Sequence, residues 1–318
     1  MSLAGTIAPT DFAWYEFLRW RQPLDEVNFW RPSARHAFRA PEFSPFLFKL
    51  KRPHNAIAGF GFFYRWEPLP DWLAWECFGQ ANGCETFADM RARIQTIRAR
   101  IGYRSAGGID PIGCTMILNV TLFDPADLIP QPSDWPPKNL TPMRYDLEHG
   151  EGARVWAACL ERARFVPTAA QAGPAGVSIS RDTDHLRYGT PHLVRPRLGQ
   201  GTFRIAVTQA YERACAVTRE HSLPALEAAH IRPFSQDGPH EVPNGLLLRA
   251  DLHRLFDQGY LTVSTEHRLE VSRRLRTDYE NGRTYYPFQG ASVNLPPDRR
   301  DEPDPALLRW HNEHVFLS

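Results

Sequence analysis

The stretch LEAAHIRPFSQDGPHEVPNGLLLRADLHRLFDQG, Leu226 to Gly259, constrains this chain more than any other. An apolar run at 226–231 predicts a strand, and the Pro, Gly and Asp cluster after it predicts a loop. Gly245 to Leu248 predicts a second strand, followed by a helix over 251–258 that Gly259 stops. Each element contributes one polar residue: His230 from the first strand, Asn244 from the loop exit and His253 from the helix.

Those residue types suit phosphodiester hydrolysis, which needs a base to activate water and a cation to stabilise charge on the phosphate and leaving oxygen. His253 and Asp257 lie four apart on the expected helix, so they share a face and can converge on one divalent ion. His230, on a strand, is then free to act as the base.

The segment resembles the HNH nuclease family with its ββα-metal fold, in the bacterial branch reading AAHI, then NG, then LHxLFDxG; here these are 228–231, 244–245 and 252–259. The resemblance implies that His230 is the general base, that Asn244 braces the loop and that His253 binds metal, with Asp257 where some relatives have another ligand. The implied cofactor is one divalent ion: Mg, Mn, Co, Ni or Zn. Many members carry a metal-binding Asp or His where this chain has Ala229. Glu227 shares the strand face of Ala229 under period-two alternation, which makes it either a substitute ligand or a strand-end charge. Arg232, Arg249 and Arg254 flank the constellation as candidate phosphate clamps.

Upstream, short apolar runs at 46–50, 57–64 and 115–123 predict strands bounded by Pro, Gly and Asn. One helix stands out: Thr86 can cap it, and Phe87, Met90, Ile94, Ile97 and Ile101 recur at spacings of three and four. Arg91 and Arg98 on its other face are candidate phosphate contacts, against the alternative of a solvated face. The segments NFWRP from Asn28, FKLKRPHNAIAGFGFF from Phe48, WECFGQANG from Trp75, IGC from Ile112 and YDLEHGEG from Tyr145 loosely resemble the PUA-like superfamily of EVE, ASCH and SRA domains. That resemblance implies a small β-barrel that accepts modified bases, with Trp30, Asn55, Tyr64 and Asn82 as candidate pocket residues.

Periodicity is lost between Pro167 and Pro196, which predicts a linker over 166–196 between an amino-terminal recognition domain, 1–165, and a nuclease domain, 197–318. The expected class is α+β: a PUA-like β-barrel with helices, then a ββα-metal HNH domain. The 37 basic residues nearly cancel the 36 acidic ones, for a formal charge of +1, so any DNA contact must be local. Only Lys49, Lys51 and Lys138 are lysines. Five cysteines without a CxxC pair suggest neither a disulfide framework nor a thiolate zinc knuckle, and fit reduced, buried thiols. Neither a signal-like opening nor a membrane-length apolar run is present, so a cytoplasmic location is expected. Together the two resemblances imply a restriction-type endonuclease acting on modified DNA. Since one HNH site cuts one strand at a time, a homodimer is one route to a double-strand break. Two alternatives stay open: a nuclease whose first domain reads another nucleic-acid feature, and a non-catalytic binder with a degenerate site.

Overall fold

In a computed structural model, residues 3–105, 107–165 and 198–318 are described. The chain divides into two compact units, 1–196 and 197–318; the expected linker at 166–196 lies outside the described residues. Both helices and strands build each unit, giving the α+β class. Among the described residues no helix is long and apolar enough to cross a membrane.

The first unit runs β1 (Ala4–Thr10), α1 (Phe12–Arg19), β2 (Leu24–Arg31), β3 (Pro45–Leu50), β4 (Ala56–Leu69), α2 (Asp71–Phe78), α3 (Phe87–Arg100), β5 (Ile112–Leu122), β6 (Ile129–Pro130), β7 (Met143–Asp146) and α4 (Gly150–Phe165). Its sheet has the order β2-β5-β4-β3-β1-β7, with β6 added on β4. β1 and β3 are parallel, and the other pairs are antiparallel. Among the described residues no pairing joins β2 to β7, so the expected barrel is an open sheet.

Both faces of that sheet are buried. Ala8, Phe46, Phe48 and Ala58 pack with Trp14, Tyr15 and Leu18 of α1 on one face. Ile7, Leu47 and Ile57 pack with Val155 and Cys159 of α4 on the other. Each fully buried aliphatic or Phe side chain contributes about 1.5–3 kcal/mol, and here neighbours in sequence contribute to opposite layers. Alternation slips within β4, because the register shifts between Phe60 and Phe62 and Gly59 holds φ +151 where a Cβ would sit 2.2 Å from the Thr121 carbonyl oxygen.

The helix α3 starts as its sequence predicts: Thr86 accepts from the Asp89 backbone N–H while the Asp89 carboxylate accepts from the Thr86 N–H, a reciprocal cap. Its apolar stripe is buried at Met90 and Ile94, but Ile101 at its end is exposed.

The second unit contains α5 (Gln200–Ala210), β8 (Leu226–His230), β9 (Gly245–Arg249), α6 (Ala250–Asp257), β10 (Leu261–Val263), β11 (Leu269–Val271), α7 (Arg274–Tyr279) and α8 (Pro305–His314). β8 and β9 form an antiparallel pair, and α6 follows at once, giving the ββα order. Gly259, at φ +77, ends α6 where a Cβ would lie 2.1 Å from the Val315 carbonyl oxygen. Beneath α6, His311 of α8 stacks on Phe256 with ring centroids 3.8 Å apart. Its Nε2 faces the Phe256 carbonyl at 3.2 Å and its Nδ1 faces Thr262 Oγ1 at 2.8 Å. Burial pushes this imidazole down to about 4, so at neutral pH it is an uncharged donor and acceptor between three elements.

Candidate functional site

His230 is the last residue of β8 and pairs across the strand with Gly245. Phe203 of α5 lies flat against its ring, centroids 3.9 Å apart and planes 12° apart. His240, from the loop between the strands, stands 5.1 Å away on another side. The ring's Nε2 is buried and has no hydrogen-bond partner among the described residues. Burial first, and then the charges of His240 and His253, push the imidazole down to about 4, against an opposing pull from Asp257. It is therefore neutral at physiological pH, the state a proton acceptor requires.

The loop that leaves His230 is closed by one fully buried side chain. Asn244 Nδ2 donates to the carbonyls of Arg232 (2.9 Å) and Pro239 (2.8 Å), and its Oδ1 accepts from the Arg232 N–H (2.9 Å). Its own carbonyl accepts from the Ile231 N–H at 2.9 Å. Asn suits this position because it supplies donor and acceptor together on a short side chain. Asn244→Ala is expected to lower the stability of this unit by about 2–4 kcal/mol, since three hydrogen bonds of about 1 kcal/mol each vanish and strand buried carbonyls. Urea denaturation checks this, and an unchanged midpoint would contradict the bracing role.

His253 sits on α6 between two carboxylates. Its Nδ1 lies 2.7 Å from Glu227 Oε2, and its Nε2 lies 3.2 Å from Asp257 Oδ2. Burial pulls its pKa down, but Asp257 and Glu227 together outweigh that and raise it. Nε2 and the Asp257 carboxylate are close enough to offer two donors to one cation. Glu227 meets the opposite ring nitrogen, Nδ1, and Ala229 beside it on β8 is fully buried. His253 Nε2 and the Asp257 carboxylate are thus the pair that could hold a cation here, and the unpartnered Nε2 of His230 lies in the same ββα unit.

The arginines differ in what they are free to do. Arg249 is committed to Asp251 through two bonds of 2.6 and 2.7 Å. Arg232 donates to the Gln236 carbonyl and lies over Trp310. Arg254 is exposed, and no described residue pairs with it. In the first unit, Arg98 donates to the carbonyls of Pro32, Asp110 and Pro111, which makes it a loop anchor, and Arg91 pairs with Asp71 at 3.1 Å.

Of the four reader candidates, the structure joins Trp30 and Asn82 to each other. Asn82 is fully buried: its Nδ2 donates to the carbonyls of Ala74 and Gly79, and its Oδ1 accepts from Asn28. Trp30 donates to the Asn82 carbonyl at 2.9 Å, so both are internal fastenings. Tyr64 is buried beside Phe43. Asn55 lines a pocket described below.

The segment 215–264 matches the HNH endonuclease family. Residues 215–264 are an HNH endonuclease domain. The match takes in His230, Asn244, His253 and Asp257, and this makes the chain a nuclease. Among solved structures, ASCH from Zymomonas mobilis is 10% identical, with 48% of this chain and 94% of that one covered and a TM-score of 0.32. The modification dependent TagI restriction endonuclease is 12% identical over 97% of this chain and 81% of that one, with a TM-score of 0.29. No curated protein matches. Within the HNH domain, His240 is a residue the motif spacing does not single out; its one signal in the sequence is a third histidine between His230 and Asn244.

Proposed function

We propose that the chain is a metal-dependent DNA endonuclease in which His230 is the general base and His253 with Asp257 holds one divalent cation. The observation that carries this reading is the neutral, half-buried His230 ring, its buried Nε2 without a partner among the described residues, close enough to His253 and Asp257 for their charges to act on it. His230 takes a proton from water as the water oxygen bonds to phosphorus. The bond from phosphorus to the leaving oxygen breaks, and that oxygen is protonated by solvent. A bound cation supplies charge stabilisation at the phosphate. Phe203 fixes the plane of the base, Asn244 fixes the loop beyond it, Glu227 orients His253, and Arg254 is available to a neighbouring phosphate.

The amino-terminal unit serves in this reading to recruit DNA bearing altered bases. The support is its sequence resemblance to PUA-like readers and its place ahead of the nuclease domain. A homodimer would pair two sites for a double-strand break. The test is cleavage of unmodified, 5-methylcytosine and 5-hydroxymethylcytosine DNA with Mg, Mn, Co, Ni or Zn. We expect chelator-sensitive cutting, at least about tenfold faster on one modified substrate, the size of effect that one well-placed contact gives. No cutting under any condition would overturn the nuclease mechanism. Equal rates on all three substrates would overturn modified-base dependence.

A further inference from the structure

The chain's only lysines, at 49, 51 and 138, meet at one place in the first unit. They line a pocket of about 270 Å³ between the turn after β3 and the loop after β6. Arg52 joins them, and no carboxylate is among the lining residues. The two walls are tied together where the Gln131 N–H donates to the Asn55 carbonyl at 3.2 Å, with Asn55 held at φ +47 in its turn.

Lys49 is the unusual member. It is only 3% exposed, yet among the described residues it has no carboxylate partner. Its Nζ donates to the Leu50 carbonyl at 3.1 Å and lies 5.2 Å from the centre of the Trp135 ring. An ammonium has three donors, and a buried one without a counter-ion is costly. Burial, followed by the neighbouring Arg52, pushes its pKa down, a cost that a bound anion would relieve. Lys51 is neutralised by Asp11 at 2.7 Å, which leaves Lys49, Arg52 and Lys138 for a ligand.

A second observation narrows the ligand. Gln131 Oε1 is a buried acceptor with no donor among the described residues, and Gln131 lines the same pocket. Pro136, Pro137 and the 69% exposed Leu140 add an apolar rim. A bare inorganic anion would answer the cations and leave both the acceptor and the rim unused. A ligand that joins an anion to a flat ring with N–H or O–H donors answers all three.

We propose that this pocket binds a nucleoside phosphate, with the phosphate on Lys49, Arg52 and Lys138 and a base or sugar donor on Gln131. The ligand is either a free nucleotide or one unit of a nucleic-acid strand. In the second case the proposal deepens the recruiting role given above to the first unit, and rests on it.

The full chain, in EDTA and at fixed salt, is titrated with 2′-deoxynucleoside 5′-monophosphates, inorganic phosphate, and labelled single-stranded and duplex oligonucleotides. Saturable monophosphate binding, at least about tenfold tighter than inorganic phosphate, is expected. Lys49→Met and the surface change Lys138→Glu should each weaken it about tenfold or more, with folding checked by circular dichroism. Equal loss for oligonucleotides supports a strand as the source; loss confined to monophosphates supports a free nucleotide. Phosphate binding as tight as nucleotide, no saturable binding, or indifference to both substitutions would overturn the proposal. Since binding is read without metal or turnover, a chain that binds but never cuts fails only the nuclease mechanism, and one that cuts without this binding fails only the pocket.

Discussion

His230→Ala lowers the cleavage rate by about two to four orders of magnitude, the range general-base catalysis supplies, while DNA affinity at fixed salt stays within about twofold. The asymmetry follows from the environment of the ring. Stacking on Phe203 and burial hold it neutral, with a pKa pushed down to about 4, so the proton-accepting form dominates at neutral pH and is lost only as pH falls through that value. A neutral ring makes little Coulombic contribution to phosphate binding, which is why removal should be felt in turnover and not in affinity. Single-turnover cleavage with saturating metal, alongside an anisotropy titration, separates the two. Normal turnover would remove His230 from the mechanism, and lost affinity would make it a binding residue.

His253→Ala produces the other large effect: divalent-ion affinity falls by about a hundredfold or more, and cleavage falls with it. Deleting the ring removes Nε2, one of the two donors placed to share a cation, and leaves Asp257 with no protein co-ligand on its helix face. Glu227→Gln is the informative companion. It keeps the side-chain shape but withdraws the carboxylate from Nδ1, so affinity should drop by about ten- to a hundredfold, as for outer partners of metal-bound histidines. Calorimetric titration with Mn or Ni reads both changes without turnover. An unchanged isotherm for His253→Ala would contradict the ligand assignment. A loss for Glu227→Gln as complete as that for His253→Ala would make Glu227 a direct ligand.

What was legible in the sequence was what short range determines. His230, Asn244, His253 and Asp257 lie on consecutive elements, so spacing alone could place them on a strand end, a loop exit and one helix face. The contacts that tune them come from farther away. Phe203 reaches His230 from a helix before the matched segment, and His311 holds α6 from beyond it. Helical spacing could pair His253 with Asp257, but it could not say which ring nitrogen Glu227 would meet. In the first unit the strands were readable from apolar runs, but their closure was not. Residues such as Ile7 and Ala8, or Leu47 and Phe48, go to opposite buried layers, so alternating hydrophobicity carries no inside and outside. Gly59 and Asn119, at φ +151 and +48, accompany slips of register that period-two counting cannot anticipate. Trp30 and Asn82 depend on long-range placement in the same way, since the fold directs their donors to the carbonyls of Asn82 and Ala74 around a short helix.

The support of α6 by α8 bears on when α6 of a newly made chain becomes fully packed. Every residue of the matched segment has left the ribosome once position 264 emerges, yet the underside of α6 is still bare at that moment. Its cover arrives with His311 against Phe256 and with the Leu317 N–H on the Gly259 carbonyl at 2.9 Å. The cover of α6 is thus supplied by residues translated after the matched segment. A nascent or prematurely terminated polypeptide can carry that whole segment without the packing that sets α6 in place.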